Sequence, residues 1–155
     1  MSNLQRFSHI GICVSDLERS IRFYRDNLGF QLEHELTAEG ELSDTLLRLR
    51  GVKLRAVYLT RDGTRIELLH YASPPAPPRP QRAMNEYGLT HLSLRVDDLD
   101  GALAGLRAVG ANILEDTIIL YPKYHAACCF ITDPDGQLIE LVQMPGDPAK
   151  APGAG

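Results

Sequence analysis

The sequence predicts an α+β fold built from two tandem βαβββ modules with mixed, mostly antiparallel sheets. The first observation behind this prediction is an internal repeat, because residues 62–68 (DGTRIEL) and 135–141 (DGQLIEL) share Asp, Gly, Ile, Glu and Leu in register. The second is a similar match near the start of each half, between residues 9–17 (HIGICVSDL) and 91–99 (HLSLRVDDL). A duplicated chain should repeat its order of strands and helices, and each copy here contributes one histidine and one glutamate.

Length and composition indicate an ordinary soluble protein. A chain of 155 residues can bury a real core, and 44% hydrophobic with 23% charged residues is typical of globular domains. The formal net charge of −4 gives no basic surface for nucleic acid, and no apolar run reaches the roughly 18 residues of a membrane span. The N-terminus has no apolar signal segment, and the odd count of 3 cysteines argues against a disulfide framework. We therefore expect a cytoplasmic protein without nucleic-acid or membrane partners.

The first module is predicted to follow the order β-α-β-β-β. Ser15 and Glu18 form a capping-box pattern that predicts the start of the helix, and Gly29 is a natural C-terminal stop. The dipeptide Asp62-Gly63 is a strong hairpin signal between the last two strands. The predicted apolar helix face is Leu17, Ile21, Tyr24 and Leu28, the predicted strands cover residues 7–14, 30–36, 53–60 and 64–71, and residues 39–50 could form a short helix or a loop.

The second module is predicted to repeat this order. Asp97 or Asp98 should cap its helix, which ends at Gly110, although Gly101 and Gly105 weaken it. Three strands in succession after each helix favour mixed, mostly antiparallel sheets, because hairpin turns join antiparallel neighbours. The apolar helix positions are Leu99, Leu103, Leu106 and Val109, and the predicted strands cover residues 89–96, 112–119, 124–132 and 137–143. The predicted division of the chain is a first module at 1–73, a Pro-rich linker at 74–80, a second module at 81–144 and a flexible tail at 145–155.

Strand alternation places a histidine and a glutamate on matching surfaces of the two halves. Side chains on a strand point alternately to opposite faces, so His9 and His91 point away from the aliphatic residues that should pack under the helix. Glu67 and Glu140 behave in the same way between their aliphatic neighbours. If the halves pack with pseudo-twofold symmetry, the four side chains converge on one site. Two imidazoles and two carboxylates suit a divalent transition metal such as Ni, Co, Zn, Mn or Fe, with one or two positions left for water or substrate.

Four stretches of the chain resemble one known family. They are HIGICVSDLERSIRFYRDNLGF (9–30), GTRIELL (63–69), GLTHLSLRVDDLDGAL (88–103) and FITDPDGQLIELV (130–142). Through them the chain resembles the vicinal oxygen chelate superfamily, which groups glyoxalases, bleomycin resistance proteins and extradiol dioxygenases. The resemblance implies paired βαβββ modules whose curved sheets surround a central metal cavity, with metal ligands from the first and last strands of each module. Carried onto this sequence, those ligands are His9, Glu67, His91 and Glu140.

The resemblance also implies a chemistry. Members of this family bind substrates or intermediates through vicinal oxygens on the metal, which stabilises negative charge that develops on oxygen. By similarity to glyoxalase I, the expected reaction is proton transfer next to a carbonyl through a metal-stabilised enediolate, catalysed by a lyase, an isomerase or an epimerase. Glu140 is then the expected general base and Glu67 its symmetric partner or acid. The expected partners are a small-molecule substrate with vicinal oxygens and a second copy of the chain in a homodimer.

Two other functions of the same family stay open at this point. An Fe(II) ring-cleaving (extradiol) dioxygenase would use two histidines and one glutamate, which would be His9, His91 and Glu140. Its pattern carries a tyrosine where this sequence has Phe130, and Glu67 would be a surplus ligand. The other function is a non-catalytic protein that sequesters a small molecule or an antibiotic, as bleomycin resistance proteins do. Those proteins lack the metal ligands, so the four residues present here argue against that function.

Weaker candidates for substrate binding are found in the second half. Arg95 shares a predicted face with His91 and could hold a substrate carboxylate or form a salt bridge at the edge of the sheet. Tyr121, Tyr124 and His125 form a polar and aromatic cluster before a predicted strand. This cluster could close over a substrate, relay protons or remain a solvated turn.

The adjacent cysteines and two further histidines receive no predicted role. Cys128 and Cys129 alternate along a strand, so one of them should face inward as a small apolar residue, and nothing nearby indicates an activated thiolate. His34 and His70 have no counterpart in the other half, so we assign neither of them to the site.

Overall fold

The structure is a computed structural model that describes residues 5–78 and 83–150. The chain divides into two compact units, Met1–Pro78 and Arg79–Gly155, and each unit holds one four-stranded sheet. Positions 79–80 of the predicted linker and 151–155 of the predicted tail lie outside the described residues. Within the described part of the chain, no helix is long and apolar enough to cross a membrane.

The first unit forms a mixed sheet covered by a helix. Its elements are β1 (Ile10–Cys13), α1 (Leu17–Arg22), a π-helical turn (Phe23–Asn27), β2 (Gln31–Glu39), α2 (Glu41–Leu47), β3 (Lys53–Arg61) and β4 (Thr64–Ser73). The strands lie in the order β1-β4-β3-β2, in which β1 is parallel to β4 and the other neighbours are antiparallel. The β3–β4 hairpin turns at Asp62 and Gly63, whose φ angles of 50° and 75° are those of the tight turn that the sequence predicts.

The second unit repeats this topology. Its elements are β5 (His91–Val96), α3 (Leu99–Ala108), β6 (Asn112–Tyr121), a 3-10 turn (Pro122–Tyr124), β7 (Ala126–Thr132) and β8 (Leu138–Gln143). The strands lie in the order β5-β8-β7-β6, in which β5 is parallel to β8 and the other neighbours are antiparallel. The predicted fold class is therefore confirmed as two βαβββ modules with mixed, mostly antiparallel sheets.

Each sheet buries one face under its own helix, since α1 packs against β4 and α3 packs against β8. The aliphatic residues beside each glutamate are almost inaccessible, with 1% and 0% of Ile66 and Leu68 exposed and 0% and 2% of Ile139 and Leu141. Burying such a side chain contributes about 1.5–3 kcal/mol, so these residues decide which face of the strand points inward. The glutamates consequently point to the other face. The helix positions that are buried as predicted are Leu17, Ile21, Tyr24, Leu28, Leu99, Leu103 and Leu106.

Two details of the helices differ from the prediction. The N-cap of α1 is Asp16, whose carboxylate accepts a hydrogen bond from the Arg19 N–H at 2.9 Å, so the helix begins one residue later than the capping-box pattern indicates. A charged cap also interacts favourably with the positive end of the helix dipole. In the second unit α3 ends at Ala108, and Val109, which the sequence places on the buried face, lies beyond that end with 59% of its surface exposed.

Residues 39–50, which the sequence leaves open between helix and loop, contain α2. Asp44 anchors the end of this helix to the start of β3, because its carboxylate accepts the N–H groups of Gly51 and Val52, both at 2.8 Å. These two hydrogen bonds favour the charged form and hold the pKa of Asp44 below its ordinary value. Val52 is thereby fixed in a small apolar cluster, where only 2% of it is exposed.

Asp44→Asn should remove the acid-sensitive part of this anchor. The folded-state pKa of Asp44 is lowered from 3.8, so its carboxylate stabilises the fold above that value and the stabilisation is lost as the pH falls through the folded-state pKa. Urea unfolding below about pH 4 should therefore show a steeper loss of stability in the wild type than in the variant. Glu41→Gln, an exposed carboxylate on the same helix, is the control. Parallel pH curves for wild type and Asp44→Asn would contradict the expectation.

Candidate functional site

His9 and Glu67 form a contact pair in the first unit. In the parallel register of β1 and β4, the partner of Glu67 is Gly11. His9 stands two residues before Gly11 and therefore on the same face. Its Nε2 atom lies 3.1 Å from Oε2 of Glu67, with 32% of the histidine side chain and 13% of the glutamate side chain exposed. The pairing of the first and last strands thus brings the two predicted ligands of this module together.

His91 and Glu140 form the corresponding pair in the second unit. Ser93 is the register partner of Glu140 on the parallel strand, and its hydroxyl donates a hydrogen bond to Oε2 of Glu140 at 2.8 Å. The Nε2 atom of His91 lies 3.7 Å from the same oxygen, and 30% and 27% of the histidine and glutamate side chains are exposed. This pair is looser than the first, and its carboxylate is more open to solvent.

A hydroxyl residue precedes each histidine and contacts its other ring nitrogen. The Oγ atom of Ser8 lies 2.9 Å from Nδ1 of His9, and Oγ1 of Thr90 lies 2.9 Å from Nδ1 of His91. Such a contact orients the ring and leaves Nε2 facing the glutamate, which is the usual arrangement of a metal-ligating histidine. The sequence carries a signal for this role, a hydroxyl residue directly before the histidine in both halves. The matching stretches 9–17 and 91–99 begin at the histidines, so these hydroxyl residues lie just before them.

An aromatic residue on the third strand of each module contacts the pair. Tyr58 is the register partner of Glu67, and Phe130 has the same relation to the second glutamate. The ring centroids of Tyr58 and His9 are 5.3 Å apart and those of Phe130 and His91 are 5.4 Å apart, both in edge-to-face geometry. The neighbouring Glu67 carboxylate, together with burial, raises the pKa of Tyr58 to about 12. Tyr58 therefore keeps its proton throughout the neutral range, and at this position the two units differ by one hydroxyl group.

His34, to which the sequence assigns no role, lies on the same face of the first sheet. It is the register partner of Tyr58 on β2, and the two rings stack with their centroids 6.4 Å apart and their planes at 22°. In the second unit the partner of Phe130 is Leu114. At these two positions the first sheet thus carries tyrosine and histidine where the second carries phenylalanine and leucine.

The donor atoms in each unit suit a divalent metal. Imidazole nitrogen and carboxylate oxygen are ligands that Ni, Co, Zn, Mn and Fe all accept. In residues 5–78 and 83–150, the ion-pair partners of Glu67 and Glu140 are His9 and His91, and neither glutamate pairs with arginine or lysine. No group of three or more His, Cys, Asp or Glu side chains in those ranges lies close enough to hold a metal.

Arg95 holds the segment that follows β8. Its guanidinium donates hydrogen bonds to a row of backbone carbonyl oxygens, the shortest of them 2.6 Å long and made to Met144. A substrate carboxylate would have to replace some of these carbonyls in order to bind Arg95 in this arrangement. The accepting residues are Met144, Pro145, Gly146, Asp147 and Lys150.

The polar and aromatic cluster after β6 is an exposed turn. Tyr121 is 47% exposed and Tyr124 is 60% exposed, and the ammonium group of Lys123 lies 5.6 Å from the centre of the Tyr124 ring. His125 adopts a left-handed φ of 49°, and its N–H donates to the carbonyl of Pro122 at 3.2 Å. In this structure these residues form an exposed turn, and their proposed role in substrate binding stays a prediction.

The adjacent cysteines are apolar packing residues. Cys129 is buried with 1% of its surface exposed, and Cys128 is half-buried on the opposite face of β7. The prediction that one of them faces inward is confirmed. Burial raises the pKa of both thiols, so neither is an activated thiolate.

Comparison with known proteins identifies the family. The model of the Glyoxalase/Bleomycin resistance protein/Dioxygenase superfamily matches residues 6–141. The chain is 34% identical over 146 residues to the Uncharacterized protein YaeR of Escherichia coli K12, an alignment that covers 93% of this chain and 100% of that protein. The crystal structure of a glyoxalase family protein from Bacillus cereus matches with a TM-score of 0.77 at 26% identity, covering 94% of this chain and 97% of the other.

The relatives whose names state an activity catalyse different reactions. The chain is 30% identical over 145 residues to the 2-epi-5-epi-valiolone epimerase of an Actinomyces species, covering 88% of this chain and 78% of that enzyme. A probable lactoylglutathione lyase of Vibrio parahaemolyticus is 30% identical, and a catechol-2,3-dioxygenase of Bacillus subtilis is 27% identical, with only 43% of the dioxygenase covered. With two βαβββ modules, a His–Glu pair in each and a family match across nearly its whole length, this chain belongs to the Glyoxalase/Bleomycin resistance protein/Dioxygenase superfamily.

Proposed function

We propose that this protein is a metal-dependent enzyme that transfers a proton next to a carbonyl group, as a glyoxalase-type lyase or as an isomerase or epimerase. The observation that carries this proposal is the repeated His–Glu contact, found at His9 and Glu67 and again at His91 and Glu140. Partly buried carboxylates that pair with histidine instead of arginine or lysine are well suited to a cation. The relatives named as an epimerase and a lactoylglutathione lyase support this class of reaction.

His9, Glu67, His91 and Glu140 are the proposed ligands of one divalent transition metal, which is Ni, Co, Zn, Mn or Fe. Two nitrogen and two carboxylate donors suit each of these ions, so the donor set alone does not select among them. The bound ion supplies Lewis acidity, which stabilises negative charge on a substrate oxygen. The proposed substrate is a small molecule with vicinal oxygens, and the proposed working form is a cytoplasmic homodimer.

Glu140 is the proposed general base, with Glu67 as its partner or acid. The Glu140 oxygen is 3.7 Å from its histidine and 27% of the side chain is exposed, against 3.1 Å and 13% for Glu67. A general base has to come within hydrogen-bond distance of the proton that it removes. The looser and more open carboxylate has more freedom to do so, and this difference supports the assignment of Glu140.

The other two family functions would use these residues differently. A ring-cleaving dioxygenase would bind Fe(II) through His9, His91 and Glu140, but the place of the expected tyrosine is taken by Phe130, whose ring offers His91 an edge and no hydroxyl. A protein that only sequesters a small molecule would need neither His–Glu pair. Measurements of metal content, deuterium exchange and oxygen uptake distinguish both functions from proton transfer.

Metal content tests the ligand set directly. Protein purified without chelator should carry about one divalent ion per chain. His9→Ala and His91→Ala should each abolish uptake, because each removes one of the proposed donors. Mass spectrometry of the metal in desalted protein measures the amount and identifies the ion. His70→Ala is the matched control, since His70 lies on β4 and points to the face opposite Glu67.

Two results would count against this ligand set. If either histidine variant bound metal as the wild type does, the four residues would not form one site. A wild-type protein that stays free of metal after incubation with Ni, Co, Zn, Mn and Fe(II) salts would favour the sequestering function.

Proton transfer next to a carbonyl should leave an isotopic trace. The test compounds are lactoylglutathione and 2-epi-5-epi-valiolone, which appear in the names of two relatives. In deuterated water, the metal-loaded protein should exchange the proton beside the carbonyl of at least one of them. Glu140→Gln should slow this exchange by about 100-fold or more, since a general base typically contributes 10²–10⁴-fold. Proton NMR follows the exchange, and Glu115→Gln, an exposed glutamate paired with Arg107, should behave as the wild type does.

Oxygen consumption separates the dioxygenase from the proposed activity. Uptake of oxygen with catechol by the Fe(II)-loaded protein, without proton exchange in either compound, would favour the dioxygenase. Exchange that survives in Glu140→Gln would exclude Glu140 as the base and leave the metal site standing.

A further inference from the structure

We propose that Arg95 binds an anionic group of the substrate, a carboxylate or a phosphate, and that residues 144–150 occupy Arg95 until this group replaces them. We call residues 144–150 the strap. The inference rests on the proposed function, because the anionic group belongs to the substrate of the same site. It deepens that function by naming the substrate class, a carbonyl compound that carries a second, negatively charged group.

Arg95 lies on the face of the second sheet that carries the His–Glu pair. It follows His91 and Ser93 at alternate positions of β5, so the three side chains point to the same face. The Ser93 hydroxyl donates to Glu140, the proposed general base, at 2.8 Å. Two residues of a strand span about 7 Å, so Arg95 lies about that far along β5 from the residue that contacts Glu140. A small substrate can therefore reach both residues at once.

The guanidinium of Arg95 is hydrogen-bonded to neutral oxygens. Its two terminal nitrogens donate to five carbonyl oxygens of the strap, at distances from 2.6 Å to 3.4 Å. The strap contains one carboxylate, that of Asp147, but this group accepts the Ala149 N–H at 2.9 Å, and the Asp147 carbonyl is what faces Arg95. Among residues 5–78 and 83–150 Arg95 forms no ion pair, so its positive charge has no direct counter-charge there.

The strap is attached to the sheet through Arg95. Just before the strap, β8 is fixed at Gln143, whose Oε1 atom accepts the Leu99 N–H at 2.8 Å. Beyond Gln143, the hydrogen bonds that join the strap to the rest of the described chain all come from Arg95. Positions 145–150 are exposed to solvent. Water can therefore replace Arg95 at the strap carbonyls at little cost when the strap is released.

An anionic group is a better partner for the guanidinium than the strap is. Carboxylate and phosphate present two oxygens to the planar guanidinium in a bidentate pair, which adds both energy and geometric specificity. The anion also cancels the positive charge, which carbonyl oxygens do not. Exchange of the strap for an anion therefore favours substrates with a negative charge near the reacting carbonyl over neutral compounds of the same shape.

The experiment is an NMR titration of the isotopically labelled full-length protein with malonate and with inorganic phosphate, without added metal, because a metal would itself bind these anions. The amide signals of Gly146, Asp147 and Lys150 report the strap, and the Nε–H signal of Arg95 reports the guanidinium. All of them should shift in a saturable manner with either anion. Sodium chloride at the same ionic strength should leave them in place, since it only screens charge. The anion with the lower Kd identifies the group as a carboxylate or a phosphate.

Two arginine variants show where the anion binds. Arg95→Met removes the guanidinium, so the affinity for either anion should fall by about tenfold or more, as expected for the loss of hydrogen bonds to a charged group. Before any anion is added, its strap signals should lie where those of the saturated wild type lie, because the strap is released in both. Arg107→Met is the matched control. It removes an arginine of the same unit that pairs with Glu115 at 2.8 Å, and it should bind both anions as the wild type does.

Three results would overturn the inference. The first is a wild type whose strap signals do not respond to either anion, and the second is an Arg95→Met variant that binds the anion as tightly as the wild type does. The third is a movement of the strap signals without a shift of the Arg95 Nε–H signal, because the anion then binds elsewhere. This last measurement needs only the wild type, so it decides the question even if Arg95→Met does not fold.

The outcomes for this inference and for the proposed function are distinguishable. A protein that takes up metal, but whose strap does not respond to anions, keeps the proposed function and loses the inference. A protein whose strap is displaced by anions, but which takes up no metal, loses the proposed function and keeps Arg95 as an anion-binding residue.

Discussion

The parallel pairing of the first and last strands of each module is the constraint on which the candidate site depends. Strands joined by hairpins run antiparallel, so this parallel contact forms only because α1 or α3 carries the chain across the sheet. In the resulting register Gly11 lies beside Glu67 and Ser93 lies beside Glu140, which leaves each histidine two residues away on the same face. A slip of one residue would turn either glutamate toward the helix. The buried aliphatic residues on both sides of each glutamate prevent that slip. The packing of the core therefore also fixes the position of the glutamate in the site.

The residue beside each glutamate decides how the carboxylate is held. A Cβ atom at Gly11 would lie 3.2 Å from Cδ1 of Leu69 and 3.9 Å from Oε2 of Glu67, so a side chain there would crowd the face on which the carboxylate lies. The first unit leaves that place empty, and the register partner of Glu67 on its other neighbouring strand is Tyr58. The second unit fills the place with Ser93, whose hydroxyl donates to Glu140, and has Phe130 as the register partner of that glutamate on β7. After duplication the halves have therefore kept the His–Glu pair and diverged in what surrounds it.

The repeat predicts most of the fold, but it does not predict which residues contact the two His–Glu pairs. Periodicity reports burial, so strand order, hairpins and helix faces could all be read from the sequence. The match between Tyr58 and Phe130 is not visible in the sequence, because they stand 9 and 10 residues before their glutamates and the longer turn of the second hairpin puts them out of register in a linear alignment. His34 has no counterpart in the other half, so the repeat could not point to it. The register shift of β2 between Leu32 and His34 also breaks the alternation that predicts faces.

A half-buried carboxylate without a lysine or arginine partner would couple folding to the binding of a cation, if the proposed metal binds there. Glu67 is only 13% exposed, and in the part of the chain that the structure describes its ion pair is with His9. Removing a charge from water costs several kcal/mol unless a counter-charge or hydrogen bonds offset it. A cation that binds only the folded state adds about 2.7 kcal/mol of stability at a concentration 100 times its Kd. If the proposed metal binds, the first unit gains most from it, because its glutamate is the less hydrated one. Glu140 is 27% exposed and can be stabilised by water, so it would depend less on that metal. This difference in hydration gives a physical reason why the proposed metal ligation would depend more on Glu67 and the proposed proton transfer more on Glu140.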